Sequence, residues 1–541
     1  MKRILSSFII CLLAFSPAGA QDVIDIVYRP NSATVTIPAG VTDVTYTTNG
    51  AHVEVSSATT NREYTYRLSG LSANGSFTLN GSYKLTLQLA GLTLISQQGA
   101  AIDIECGKRI AVELVDGTEN TLTDKVNGTQ KAALYFKGHP EFKGGGTLNV
   151  TGRAKHAIAA KEYIELKKTT GFINVLGAVT DGIHCGKGIA DPEKNYFLMQ
   201  GGTVNINAVK GDGIDADDYG SVRIGGGALS INVGAGATAI DADSIVAISG
   251  GAVNISVDGA DSEAIRACHT VSISGGTTQV LVSGDGSKGI KAKKEEADAT
   301  VVGGGFLDIS GGTTNIEVAG GNYVDASGEV NKCMAVSVDA DLTQTGGSVG
   351  IIAMGPQAQT YHVKGTDAHQ ADAWMAVRSP WVSAHAGYQY DMSVYVVVED
   401  EDGHRLDAYD DVAVGAFMAN DCVGYGVFQL ASYGVVRVHS NSLDATPVSF
   451  RLYDYAADGT TTELESSQPI AFGADAMVGT PTHPIVLKKV ASHDAIHTPT
   501  LPSSAQRPQR YTVSGQRHTS TWHGISIEKR ADGSVRKGIE K

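Results

Sequence analysis

Between about residues 100 and 350, short runs recur in which Val, Ile and Leu alternate with Ser, Asn, Thr and Asp. A period of two marks strands with one buried face. Residues 239–264 hold one full unit: AIDA, then SIVAIS, then Gly250 and Gly251, then AVNISV, then DGADSE. No 3.6-residue apolar pattern lies between the runs, so helical crossovers are excluded.

The unit repeats. Glycines stand at corresponding places at Gly146, Gly171, Gly202, Gly227, Gly251, Gly276, Gly312 and Gly347. A second ladder, of aliphatics, runs through Ile102, Leu134, Ile158, Ile183, Ile214, Ile240, Ile265, Ile290 and Val336. Gly276 to Gly347 and Ile265 to Val336 are both 71 residues. The longer steps are therefore insertions, near 188–194, 293–303 and 319–332, that leave the repeat intact. The glycines suit corners that need positive φ or close backbone approach. Three strands and three corners in ~25 residues describe one coil of a right-handed parallel β-helix, whose apolar face is buried only by the next coil. Residues 31–97 are also strand-rich and are expected to add coils and an N-terminal cap.

The phrases IECGKRIAVELVDGTENTL (104–122), KGHPEFKGGGTLNVTG (137–152), HAIAAKEYIELKKTTGFINVLGAVTDGIHC (156–185) and GGTVNI (201–206) resemble a family of exported bacterial carbohydrate-binding proteins. The resemblance covers about residues 65–350. It implies a right-handed parallel β-helix similar to pectate lyases, polysaccharide as partner, and calcium as a frequent companion. It implies no particular reaction.

Parity along the strands assigns directions. If Ile183, Ile214, Ile240, Ile265 and Ile290 point inward, then His184, Asp215, Asp241, Arg266 and Lys291 point outward. Two positions on stand Gly186, Asp217, Asp243, Cys268 and Lys293. Stacked coils place Asp215 over Asp241 and Asp217 over Asp243, about 4.8 Å apart. Two like charges at that spacing repel by roughly 0.8 kcal/mol even in water. With Asp212 and Asp218 adjacent, these six carboxylates suit Ca²⁺. Beside them Arg266, Lys291 and Lys293 suit an acidic sugar such as a uronate. The competing reading is a solvated outer face with salt bridges along the column, such as Asp241 to Arg266. The calcium-roll motif G-G-x-G-x-D is absent. Tyr135 in the outward column, and Tyr196, Phe197, Tyr219 and Tyr323 near insertions, are candidate sugar platforms; covering the edge of the coil stack is the plainer role for each.

Composition narrows the partners. The formal charge is −15, which disfavours a nucleic-acid partner held through its backbone. No apolar run long enough to span a membrane follows the N-terminus. Residues 1–20, with Lys2 and Arg3 before an apolar stretch and Ala18-Gly19-Ala20 at its end, read as a secretory signal peptide. The expected location is secreted, or on the outer-membrane cell surface of a Gram-negative bacterium. Cys106, Cys185, Cys268, Cys333 and Cys422 remain after cleavage, an odd number without C-x-x-C pairs, and read as buried free thiols rather than a disulfide framework.

The organisation expected is signal peptide 1–20, β-helix 21–360, a β-sandwich 365–490, and a linker with tail at 497–541. The sandwich rests on the loss of the glycine ladder, on Trp374 and Trp381, and on strand runs such as MSVYVVVED (392–400) and VSFRLYDY (448–455). DDVAVGAFMANDCVG and FRLYDY resemble a β-sandwich module of large exported bacterial proteins. YTVSGQRHTSTWHGISIEKRADGSVRKGIEK resembles the C-terminal sorting domain of type IX secretion substrates.

The function expected is non-catalytic binding of polysaccharide, acidic and pectin-like or else cellulose-like, on the lateral face of the β-helix with calcium. One alternative is a calcium-dependent lyase acting by β-elimination on uronates, with Arg266 or Lys291 as base. Such a base needs a lowered pKa, and a column open to solvent does not supply one. Another is a surface adhesin or scaffold. His184–Cys185 and Cys268–His269 are strand neighbours on opposite faces and make no nucleophile–base couple.

Overall fold

The computed structural model describes residues 22–490, apart from 187–190, 192–193, 295–302, 356, 366–370, 372–373, 382–387, 407–411, 429–432 and 455–459, together with the backbone of three short strands beyond residue 508. The expected signal peptide and most of the expected linker and tail lie outside the described residues. Described residues form an all-β structure with no α-helix.

Parallel strands one repeat apart pair along the chain. In one sheet Ile158 pairs with Ile183, Ile183 with Ile214, Ile214 with Ile240, Ile240 with Ile265, Ile265 with Ile290, and Ile290 with Val336. The register is that of the aliphatic ladder in the sequence. Each of these side chains is almost fully buried, as are those of the second parallel sheet, and one continuous core joins the two. The strands thus close around a single apolar interior, which fixes register because a one-residue slip would turn every aliphatic outward.

The glycine ladder has a steric cause. Gly251 and Gly276 have φ of +82° and +76°. A Cβ on Gly276 would lie 2.6 Å from the carbonyl oxygen of Gly251, and one on Gly251 would lie 2.8 Å from that of Gly227. Each glycine thus sits where the preceding one leaves no room for a side chain. The insertion at 319–332 folds as a small hairpin, Tyr323–Val324 against Val330–Asn331. The insertions near 188–194 and 293–303 fall largely outside the described residues.

Parallel pairing continues past the boundary expected at residue 360. Gln359–Val363 pairs with Met334–Val338, and Met375–Ser379 pairs with Leu342–Met354. Trp374 therefore belongs to the first core, where its indole N–H donates to Gln344 Oε1 at 2.6 Å. Trp381 instead packs against Phe417 and Tyr453 of the following sheet.

That sheet has its own core, including Met392, Val396, Val414, Val436 and Leu452. Its strands pair mainly antiparallel, and the pairing runs round continuously: the long strand Tyr390–Glu399 joins Gly434–Ser440 through its first residues and Ile485–Lys489 through its last. Cys106, Cys185 and Cys333 are buried and form no disulfide among the described residues. From Val490 onward a second compact unit contains a three-stranded antiparallel sheet of Gln509–Thr512, Gly524–Lys529 and Val535–Glu540.

Candidate functional site

The outward positions of the first sheet form columns. Pairing carries Asp103 to Tyr135, Tyr135 to Ala159, then through His184, Asp215, Asp241, Arg266 and Lys291 to Ser337. Asp215 stands beside Asp241, as parity predicts. Asp217 and Asp243 follow at the ends of the same strands, their N–H groups donating to Cys185 and Ala216 carbonyls.

The acidic end converges on histidines. His184 Nδ1 lies 2.8 Å from Asp215 Oδ2 and 3.4 Å from Asp181 Oδ2, and its Nε2 is 3.8 Å from Asp217 Oδ2. His156 Nδ1 is 2.9 Å from Asp181 Oδ2, and the two imidazoles stack with centroids 4.2 Å apart. Backbone amides anchor the carboxylates: Asp212 N–H donates to Asp181 Oδ1, and Thr238 N–H to Asp212 Oδ1. Asp181, Asp212 and Asp215 each bring an oxygen within 4.8 Å of the others.

Burial sets the charges here. It pushes Asp212 up to about 7, with repulsion from Asp241, Asp215 and Asp181 adding to it. It pushes Asp215 up to about 6 against the pull of His184. It lowers His156 to about 4. At His184 burial is outweighed by hydrogen bonds to Asp181 and Asp215, which lift it to about 9. At Asp181 burial is likewise outweighed, and hydrogen bonds from both histidines hold it well below the usual carboxylate range.

The rest of the column settles its charges internally. Arg266 clamps Asp241 through Nε at 2.8 Å and a second guanidinium nitrogen. Lys291 Nζ lies 3.1 Å from Asp339 Oδ1 and 3.1 Å from Ser337 Oγ. Asp243 accepts the N–H of Asp218 at 2.8 Å. Of the six aspartates expected to hold calcium, Asp241 is clamped by Arg266 and Asp243 accepts a backbone N–H. Nor is the column open to solvent: Asp241 and His184 are each 6% exposed and Arg266 is half-buried. Lys293 is exposed.

The aromatics divide too. Tyr219 is exposed, at a φ of +66°. Tyr135 is buried beneath Lys131, whose Nζ lies 4.4 Å from the ring centroid, so it offers no open platform. Phe197 is in the core. Tyr196 stacks on Tyr163 at 4.7 Å.

Sequence parity missed His156 and Asp181. His156 opens the strand His156–Ala160, in which every residue is buried, and Asp181 lies two residues before Ile183 as His156 does before Ile158. Strict alternation would turn His156 inward with Ile158. The usable clue is the stacking of HAI over DGI one repeat on, which puts His156 beside Asp181.

A second concavity lies on another face. A cleft of about 950 Å³ opens between the second parallel sheet, which includes Ile245–Val257, Thr270–Val282 and Phe306–Val318, and the mainly antiparallel sheet of residues 390–489, hereafter the C-terminal sheet. Ser230, Asn254, Gln279 and Asn315 lie in register along its floor. Tyr425, Val435 and Arg437 face them from the C-terminal sheet.

Comparison with known proteins gives three likenesses. Residues 49–286 match the model of a family described as carbohydrate-binding domain-containing protein. A carbohydrate-binding domain-containing protein of Acetivibrio thermocellus is 25% identical over 181 residues, 28% of this chain and 62% of that protein. The chain therefore spans less than two thirds of that relative's length. The solved structure of the polysaccharide lyase-like protein from C. thermocellum, in its gadolinium derivative, aligns over 67% of this chain and 97% of its own at 15% identity. Its TM-score is 0.25, a likeness too slight to argue from.

Proposed function

We propose that the chain binds polysaccharide without cleaving it, on the outside of a right-handed parallel β-helix, at the cell surface or beyond the cell. Pairings one repeat apart around a common core support the coil reading. The observation that carries the binding reading is the match of residues 49–286 to a carbohydrate-binding domain, because that span contains the stacked outward columns from Asp103 to Arg266.

Calcium is proposed at Asp181, Asp212 and Asp215, with Asp217 alongside. These oxygens fit a hard divalent ion, and its charge would relieve the repulsion that helps raise Asp212. A uronate-rich glycan would then meet the ion at the acidic end and Arg266, Lys291 and Lys293 at the basic end. The lyase alternative fits less well. Proton abstraction needs a base free of its proton, and Asp241 clamps Arg266 as a cation and raises its pKa against the effect of burial. The C-terminal sheet is proposed to be a sandwich-like module that spaces or presents the rod, and the tail a type IX-like sorting segment.

Affinity electrophoresis of the purified protein tests this, in gels holding polygalacturonate or a soluble cellulose derivative, with calcium or with chelator. The expected result is retardation by at least one glycan, weakened by chelator for polygalacturonate, with no ultraviolet absorbance from unsaturated product. Unretarded migration in both gels would overturn the binding reading. A rise in absorbance would make the protein a lyase.

A further inference from the structure

We infer that the cleft between the second parallel sheet and the C-terminal sheet is a binding site for a neutral glycan chain. The inference rests on the polysaccharide-binding reading and assigns it a place away from the charged columns.

The floor of the cleft repeats. Ser230, Asn254, Gln279 and Asn315 are consecutive in register, one per strand, and Gly350 follows them on the next. The amides of Asn254, Gln279 and Asn315 are exposed and bond to no other described residue. An amide both donates and accepts, which matches a hydroxyl-bearing ligand at either polarity. Beside the amides runs a second column of Ser256, Leu281, Glu317 and Ile352, which adds apolar surface at Leu281, 38% exposed, and at Ile352. Aliphatic surface alongside a row of amides fits a pyranose chain, which has apolar C–H faces and hydroxyl edges.

The chemistry of the cleft disfavours other polymers. A peptide added as a strand needs a sheet edge with free backbone groups, whereas the cleft presents a sheet face whose backbone is paired on both sides. A nucleic acid needs uncompensated cations, and the cleft's Arg437 is paired with Asp391. A uronate chain meets Glu317, a carboxylate on the lining with no cation paired to it among the described residues. A neutral chain meets none of these obstacles. It would lie across the rungs, so that successive sugars meet successive amides.

The test is titration of the full chain with a soluble cellulose derivative and with polygalacturonate, read by affinity electrophoresis. Wild type is compared with the double variant Asn254→Ala/Gln279→Ala and with Ser230→Trp, which fills the cleft and leaves the amides in place. Loss of two ligand hydrogen bonds is expected to weaken retention by the neutral glycan about tenfold or more. Ser230→Trp is expected to weaken it as well. Retention by the neutral glycan that survives both cleft variants overturns this inference and leaves the general binding reading standing. Wild type unretarded by either glycan sinks both.

Discussion

Two faces of the same stack treat polarity in opposite ways. On the charged face, Asp241, Arg266, Lys291, Asp339, His184 and Asp215 are all engaged with one another. On the amide face, Asn254, Gln279 and Asn315 stand in equally strict register and bond to no other described residue. The rung spacing is the same, so geometry alone does not make a surface available. The difference is charge. Opposite charges on neighbouring rungs pair and bury each other, whereas an exposed amide costs little to leave in water and stays ready for a ligand.

The largest effect is expected where both faces depend on one feature. Gly276→Val would place a branched side chain at φ +76°, with its Cβ 2.6 Å from the Gly251 carbonyl oxygen. Strain and clash together should cost about 3 kcal/mol or more. Chemical denaturation should show it as a fall in midpoint, and glycan retention should drop only as far as folded protein is lost. A variant as stable as wild type would show that the glycine column is not what sets the stacking.

The stacking was readable in the sequence because the core demands it. Ile214, Ile240 and Ile265 recur at one interval, and their burial fixes the placement of Asp215 beside Asp241. His156 and Asp181 were not readable by parity, because each stands two residues before an inward isoleucine, where alternation would turn it into the core. Trp374 was misplaced for a different reason: its type suggested a new domain, while its partner Gln344 lies in the last rungs of the first core. The cleft has no local mark at all. Its floor and its facing residues are far apart in sequence and meet only through the packing of two sheets.

A smaller effect should separate the faces. Asp241→Ala removes the close partner of a half-buried guanidinium and leaves Arg266 with Glu263, at 4.0 Å, and the more distant charge of Asp212. The expected loss is about 2 kcal/mol, below the range for a fully buried pair because Arg266 keeps some contact with water. Retention by neutral glycan should not change once corrected for the folded fraction. If Asp241→Ala abolished that retention in fully folded protein, the charged face would be the neutral-glycan site and the division between the faces would fail.

The smallest effect expected is a gain in stability. Asp103 heads the charged column, and its Oδ1 is buried without a hydrogen-bond partner. Burial first, and then the nearby Glu105, push its carboxyl up to about 6, against the pull of Lys131 and Lys137. A carboxyl raised in the fold favours the protonated form there. The fold therefore carries no penalty below the ordinary pKa of 3.8, accumulates one as pH rises from about 4 to 6, and bears it in full above that. Asp103→Asn removes the titration, so it should stabilise the protein by about 1–2 kcal/mol at pH 8 and by nothing measurable at pH 4. Denaturant midpoints for both proteins across that range measure the difference. A gain of equal size at both pH values would mean that the benefit comes from the amide's added donor. A loss at pH 8 would mean that the charge on Asp103 is compensated as fully as those further along the column.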